Sequence, residues 1–136
     1  MVKIIMGLKG SGKTKQLIEL VKEAVDNEHG DIVVIEKEPK LTYDIPYTVR
    51  LIEAVQYGLG GYESLKGFLC GLHAGNYDIT HIFIDSLLKI IDVPLDERAE
   101  EFLAWCDKFS ERENVKFTMT ISADTALATG GIKKFF

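Results

Sequence analysis

The chain has few of the residues that staple or stiffen a small protein. It is 136 residues long, with two cysteines, three prolines and one tryptophan. Cys70 and Cys106 stand far apart without a CxxC spacing, and His29, His73 and His81 form no pattern of metal ligands. That excludes a disulfide framework and a zinc module as the basis of the fold, and reduced thiols in a cytoplasmic protein are the simplest reading. An excess of positive charge is also lacking. A net charge of −5 supplies no broad cationic surface, which argues against nucleic acid or an anionic membrane as the main partner. No opening segment combines a basic start, an apolar stretch and a cleavage site, and no apolar run approaches the ~20 residues of a membrane span. Repeats, low-complexity tracts and linkers are absent too. The expectation is one cytoplasmic domain over residues 1–136, with no membrane association.

What is present is an alternation of short apolar runs and longer amphipathic ones. Val2 to Met6 reads as a buried strand. A glycine-rich loop from Gly7 to Gly12 leads from it into a helix over about Lys13 to Asn27, with Leu17, Ile18, Val21, Ala24 and Val25 on one face and Gly30 as the stop. "DIVVIE", Asp31 to Glu36, is a strand apolar enough to be covered on both faces. Pro39 and Pro46 break regular structure between Lys37 and Gly61, where "TVRLIEA", Thr48 to Ala54, suggests another strand. Tyr62 to about Ala74 has helical spacing, and Gly67, Gly71 and Gly75 fall every fourth residue, as a helix packed closely on a sheet would place them. "HIFID", His81 to Asp85, is a buried strand ending in a carboxylate. A turn or short helix follows over Ser86 to Asp92, then the longest helix from about Leu95 to Asn114, then "VKFTMTIS", Val115 to Ser122, as the last clear strand. Strands separated by helix-length segments require crossovers. The fold class is therefore α/β: a three-layer sandwich with a mainly parallel sheet of four or five strands and helices on both faces. In such sheets ligands bind beyond the carboxyl ends of the strands, where the glycine loop and Asp85 both fall.

"GLKGSGKT", Gly7 to Thr14, satisfies GxxxxGK followed by Ser or Thr, and it lies between a strand and a helix as that motif requires. It reads as a phosphate-binding loop. Gly7, Leu8, Lys9, Gly10, Ser11 and Gly12 supply backbone N–H groups that curl toward oxygens, and the start of the helix, with Lys13, Thr14 and Lys15, adds positive potential. Lys13 suits the β and γ phosphates of a nucleotide, ATP by default, and the Thr14 hydroxyl suits Mg²⁺.

With this motif the sequence resembles the P-loop NTPases. The resemblance implies a second element, an apolar strand ending in an acidic residue that holds Mg²⁺, and "HIFID" with Asp85 matches it. It also implies a general base. Many hydrolysing members place a glutamate directly after the acidic residue, but Ser86 stands there, so turnover is expected to be slow. Some proteins of the RecA-like branch carry the base at the tip of the second strand, and this makes Glu36 the catalytic candidate beside Lys13, with Glu38 a weaker one. Ser122 and Thr120 compete for the position of a polar residue that senses the γ phosphate. Arg50 reads as a surface salt bridge, with a phosphate or a neighbouring subunit as the alternative.

Three functions fit these residues: a small ATP-binding protein with slow hydrolysis, a nucleoside-like small-molecule kinase, and a non-enzymatic regulator or assembly component for which nucleotide is a structural ligand. The kinase reading rests on "SGKTKQLIEL", which resembles the loop and first helix of thymidine kinases. The Asp-Glu pair and the zinc-binding cysteine cluster usual in those enzymes are absent. The pattern is also similar to small bacterial P-loop proteins, some of which carry a label from twitching-motility ATPases, although 136 residues do not hold the second domain and ring interface of such a motor. A protein partner or a second copy of the chain is left open.

Overall fold

The computed structural model describes every residue from Met1 to Phe136. Five strands form one sheet: β1 (Val2–Gly7), β2 (Asp31–Glu36), β3 (Arg50–Glu53), β4 (Ile79–Ile84) and β5 (Lys116–Ser122). Their spatial order is β1-β5-β4-β2-β3, and all four pairings are parallel. The helices are α1 (Lys13–Asn27), α2 (Tyr62–Gly75), the short α3 (Leu87–Ile91), α4 (Glu97–Glu113) and a last turn, α5 (Gly130–Lys133). The expected α/β sandwich is the observed one, with five strands. No helix is long and apolar enough to cross a membrane.

Alternation along the strands divides the core in two. Ile32 and Val34 of β2 and Phe83 of β4 face Leu17, Val21 and Ala24 of α1. Val33 and Ile35, with Ile82 and Ile84, face the other way, into a larger core shared with α2, α4 and the C-terminal segment. A strand read from sequence as covered on both faces is so covered, because period-two side chains have an apolar layer on each side.

Several local expectations are corrected. The strand placed over Thr48 to Ala54 is only Arg50–Glu53, and Ala54–Tyr57 turns into a 3-10 helix. The irregular segment before it, broken by Pro39 and Pro46 as expected, is nevertheless part of the core: Leu41, Ile45 and Val49 are buried beside α1 and complete that layer. Gly67, Gly71 and Gly75 do not pack α2 against the sheet. A Cβ at any of them would meet no atom within 4 Å, because that face of the helix is exposed; α2 packs through Leu65, Leu69 and His73 instead. Gly30, expected as a helix stop, is required by close approach, since a Cβ there would stand 2.5 Å from the Asp78 carbonyl oxygen. Arg50 is exposed and takes part in none of the ion pairs.

At the amino ends of the strands a buried polar cluster replaces apolar packing. His81 sits between Glu28, whose Oε2 is 2.9 Å from Nδ1, and Thr118, whose hydroxyl is 2.8 Å from Nε2. Burial pushes the His81 pKa below its usual 6.5, against the pull of Glu28. The neutral ring therefore donates from Nδ1 to Glu28 and accepts at Nε2 from Thr118. A histidine with a depressed pKa binds its proton better in the unfolded chain, so its contribution to stability is present at and above pH 6.5 and is lost as pH falls below it. The stability advantage of the wild type over His81→Gln, from urea midpoints, should shrink between pH 7.5 and pH 5.5. A constant difference across that range would show that His81 does not titrate differently in the folded state.

Candidate functional site

Parallel pairing brings all the carboxyl ends of the strands to one rim, with β1 and β5 running three residues past the register of Ile84. Gly7 is in register with Ser122, Ile84 with Met119 and with Ile35, and Glu36 with Glu53. The residues that leave β1, β4, β5 and β2 therefore converge beyond the carboxyl edge of the sheet, around a cavity of about 550 Å³.

The Gly7–Thr14 loop forms one side. Gly10 and Gly12 have φ of 83° and 84°, the left-handed region in which a Cβ is strained, so the chain needs glycine at both to turn into α1. Ser11 N–H donates to the Leu8 carbonyl and Gln16 N–H to the Gly12 carbonyl. The N–H groups of Gly12, Lys13, Thr14 and Lys15 have no acceptor in the chain, and no side chain caps α1. A helix start with unpartnered N–H groups and the positive end of its dipole is an anion site in waiting. The Lys13 side chain is buried and folds back over the loop, its Nζ donating to the Leu8 carbonyl at 2.8 Å. It makes no ion pair with a carboxylate.

Asp85 follows β4 and is brought to the loop across 71 positions of sequence. Its Oδ1 and Oδ2 lie 3.3 and 3.2 Å from the Thr14 hydroxyl. Oδ1 also accepts from the buried Thr120 hydroxyl at 2.8 Å, and Thr120 in turn accepts from the Ser86 N–H at 2.7 Å. Ser86 has φ of 59°, rare for a residue with a side chain, so the turn after Asp85 is held against its own preference. Of the two sensor candidates, Thr120 is spent on Asp85 and Ser86, whereas Ser122 lies exposed on the cavity wall.

Glu36 ends β2 and is buried, 3% exposed. Its Oε1 accepts the backbone N–H groups of Lys40 and Leu41 at 2.9 and 3.2 Å. Burial raises its pKa above the usual carboxylate range, and the negative Asp85 and Glu53 add to that, against the two N–H bonds. Glu36 thus anchors the turn that starts the Leu41–Val49 layer, Oε1 accepting from both N–H groups and Oε2 lying 3.4 Å from the Leu41 N.

Among the residues predicted from sequence, Lys9, Gly10, Gly12, Lys13, Thr14 and Lys15 line the cavity. Gly7, Leu8 and Ser11 shape the loop from behind, and Asp85 stands under it. Gly7 has a steric role, since a Cβ there would fall 2.6 Å from the Ser11 hydroxyl oxygen. Sequence reasoning missed Lys40, Leu88 and Lys89, which form the opposite wall. Some of the signal was there: Lys40 follows the end of β2 and Lys89 lies four residues beyond Asp85, both at the rim where ligands bind. No family model matches the chain, and no curated protein matches it.

Nowhere do three or more His, Cys, Asp or Glu side chains gather as metal ligands. Thr14 and Asp85 offer hard oxygen donors side by side, which suits a Mg²⁺ ion that draws its remaining ligands from water and from a bound anion.

The Thr120 hydroxyl tests this framework directly. Thr120→Val keeps the shape but leaves the Ser86 N–H and one Asp85 lone pair without partners, a loss of about 1–3 kcal/mol by analogy with other buried hydrogen-bond deletions. Urea denaturation reads it, and a loss below about 0.5 kcal/mol would mean that water replaces the hydroxyl at little cost.

Proposed function

We propose that this protein binds a nucleoside triphosphate, ATP in the first instance, together with Mg²⁺ through the Gly7–Thr14 loop, and that it hydrolyses the terminal phosphate slowly. The observation that carries this reading is the meeting of Thr14 with Asp85 at 3.2 Å, under a loop that presents four unpartnered N–H groups and Lys13. A bare anion site needs the N–H groups and the lysine. The added hydroxyl and carboxylate make sense where a cation accompanies the anion.

In this reading the loop N–H groups and Lys13 bind and orient the phosphates, and Thr14 and Asp85 hold Mg²⁺. Bound there, Mg²⁺ supplies charge neutralisation to the phosphate oxygens. Lys13 gives up its neutral carbonyl acceptor for a charged one, a stronger hydrogen bond. Glu36 is the candidate base for the attacking water. A raised pKa suits that task, but Glu36 is buried, is not among the residues that line the cavity, and is held by Lys40 and Leu41, which adds to Ser86 after Asp85 as a reason to expect slow turnover. The same placement of Glu36 favours, as the second reading, a nucleotide that is held as a structural ligand without hydrolysis.

A thermal-shift titration of the wild type and Lys13→Ala with ATP, GTP and ADP, each with and without Mg²⁺, tests the claim. A ligand at a hundred times its dissociation constant adds about 2.7 kcal/mol, which should raise the melting point by roughly 5–15 °C for a domain of this size. The shift should depend on Mg²⁺ and vanish in Lys13→Ala. An equal shift in a folded Lys13→Ala protein would remove the reading.

Phosphate release then separates the two readings. Glu36→Gln should lower it by tenfold or more if Glu36 is the base, an order-of-magnitude expectation for general-base loss. Wild-type turnover in a folded variant would assign water activation to other groups. Tight binding by the wild type with no release of phosphate favours the structural ligand.

A further inference from the structure

The wall facing the loop carries the second notable charge feature of the cavity. Lys40 and Lys89 join Lys9, Lys13 and Lys15, so five of its eleven lining residues are lysines and none is acidic, in a chain of net charge −5. None of the five belongs to any of the six ion pairs in the protein. Surface lysines ordinarily spread apart, because a long exposed side chain can move away from a like charge at little cost. Here the backbones that bear the pair are pinned to the same rim. The Lys40 N–H donates to Glu36 Oε1 at 2.9 Å, and the Lys89 carbonyl accepts from Lys37 Nζ at 3.0 Å. The closeness of Lys40 is the main reason that the Lys89 amine is pushed below its usual range, with Glu38 the acidic neighbour that opposes this.

Sheet order gives the pair its place relative to the loop. The loop leaves β1 at one edge, while Lys89 follows β4 and Lys40 follows β2, two and three strands away. Adjacent strands lie about 4.8 Å apart, so β2 stands about 14 Å from β1. Asp85, at the end of β4, lies between. A phosphate chain that starts on the loop and passes the Thr14–Asp85 pair would point its far end at these two lysines.

We propose that Lys40 and Lys89 form a second anion site that takes the terminal phosphate of a nucleoside triphosphate, and so make the protein select triphosphate over diphosphate. This rests on the nucleotide reading of the Gly7–Thr14 loop. The two flexible ammonium groups act as point charges, each able to turn toward one phosphate oxygen. An incoming phosphate removes the repulsion between them, and a diphosphate held by the loop does not reach them. Because Glu36 ties Lys40 to the start of the Leu41–Val49 layer, contact at Lys40 also reports the terminal phosphate to that segment.

The test is calorimetric titration of the full chain, in Mg²⁺, with ADP and with a non-hydrolysable ATP analogue. Wild type, Lys40→Ala/Lys89→Ala and Lys40→Arg/Lys89→Arg are compared, with ligand-free melting points as the check on folding. The wild type should bind the triphosphate at least tenfold more tightly than ADP. The alanine pair should bring that ratio below about threefold, chiefly by weakening the triphosphate, and the arginine pair should restore it. A ratio unchanged in a folded alanine pair overturns the proposal and leaves the loop reading standing. So does an equal weakening of both nucleotides, which would assign the lysines to general attraction. Failure of the wild type to bind either nucleotide would remove the loop reading and this inference with it.

Discussion

Asp85 is the residue on which the rim of this fold depends. A carboxylate that is only 9% exposed needs hydrogen-bond donors around it, and the fold supplies them from two different elements. Thr14 comes from the first turn of α1 and Thr120 from β5, and the same Thr120 holds the Ser86 N–H that begins the strained turn to α3. One side chain thereby ties the glycine loop, the central strands and the short helix together. Misplacing any of the three leaves a buried charge short of partners, a larger penalty than losing an ordinary surface contact.

Glu36 does for the neighbouring strand what Asp85 does for β4. Its buried carboxylate joins the end of β2 to the turn at Lys40 and Leu41, and that turn delivers Leu41, Ile45 and Val49 to the core. The two carboxylates are close enough for the charge of Asp85 to help raise the Glu36 pKa. The rim is thus acidic beneath and basic above, with the acids consumed in structure and the lysines left out of every ion pair. This separation explains how an acidic protein presents a cationic cavity.

The elements that were legible in the sequence are those whose signal is local. "DIVVIE" and "HIFID" are too apolar to be anything but strands covered on both faces, and the spacing of Leu17, Val21 and Ala24 places one face of α1 without knowledge of its neighbours. The glycine loop was legible because its conformation dictates its residues at Gly10 and Gly12. Elsewhere the signal was not local. Gly67, Gly71 and Gly75 have the same period whether a helix face is packed or exposed, and only the neighbours distinguish the cases. Leu41, Ile45 and Val49 recur every four residues in a stretch that is not a helix, because Pro46 and a series of turns break it up. Lys40 and Lys89 become a pair only once β2 and β4 are known to be adjacent.

The position of β1 at the edge of the sheet has a structural consequence. Most of its length is supported on one side alone, by β5, while the outer side is touched through a single backbone bond from the Ile4 N–H to the Phe135 carbonyl. The open side of the strand that leads into the glycine loop is therefore closed by the last turn of the chain, whose Phe135 side chain is buried in the same core as Val2 and Ile4. The first strand of the fold thus has its outer edge completed by the last residues of the sequence, so the two ends of the chain meet beside the strand that carries the loop.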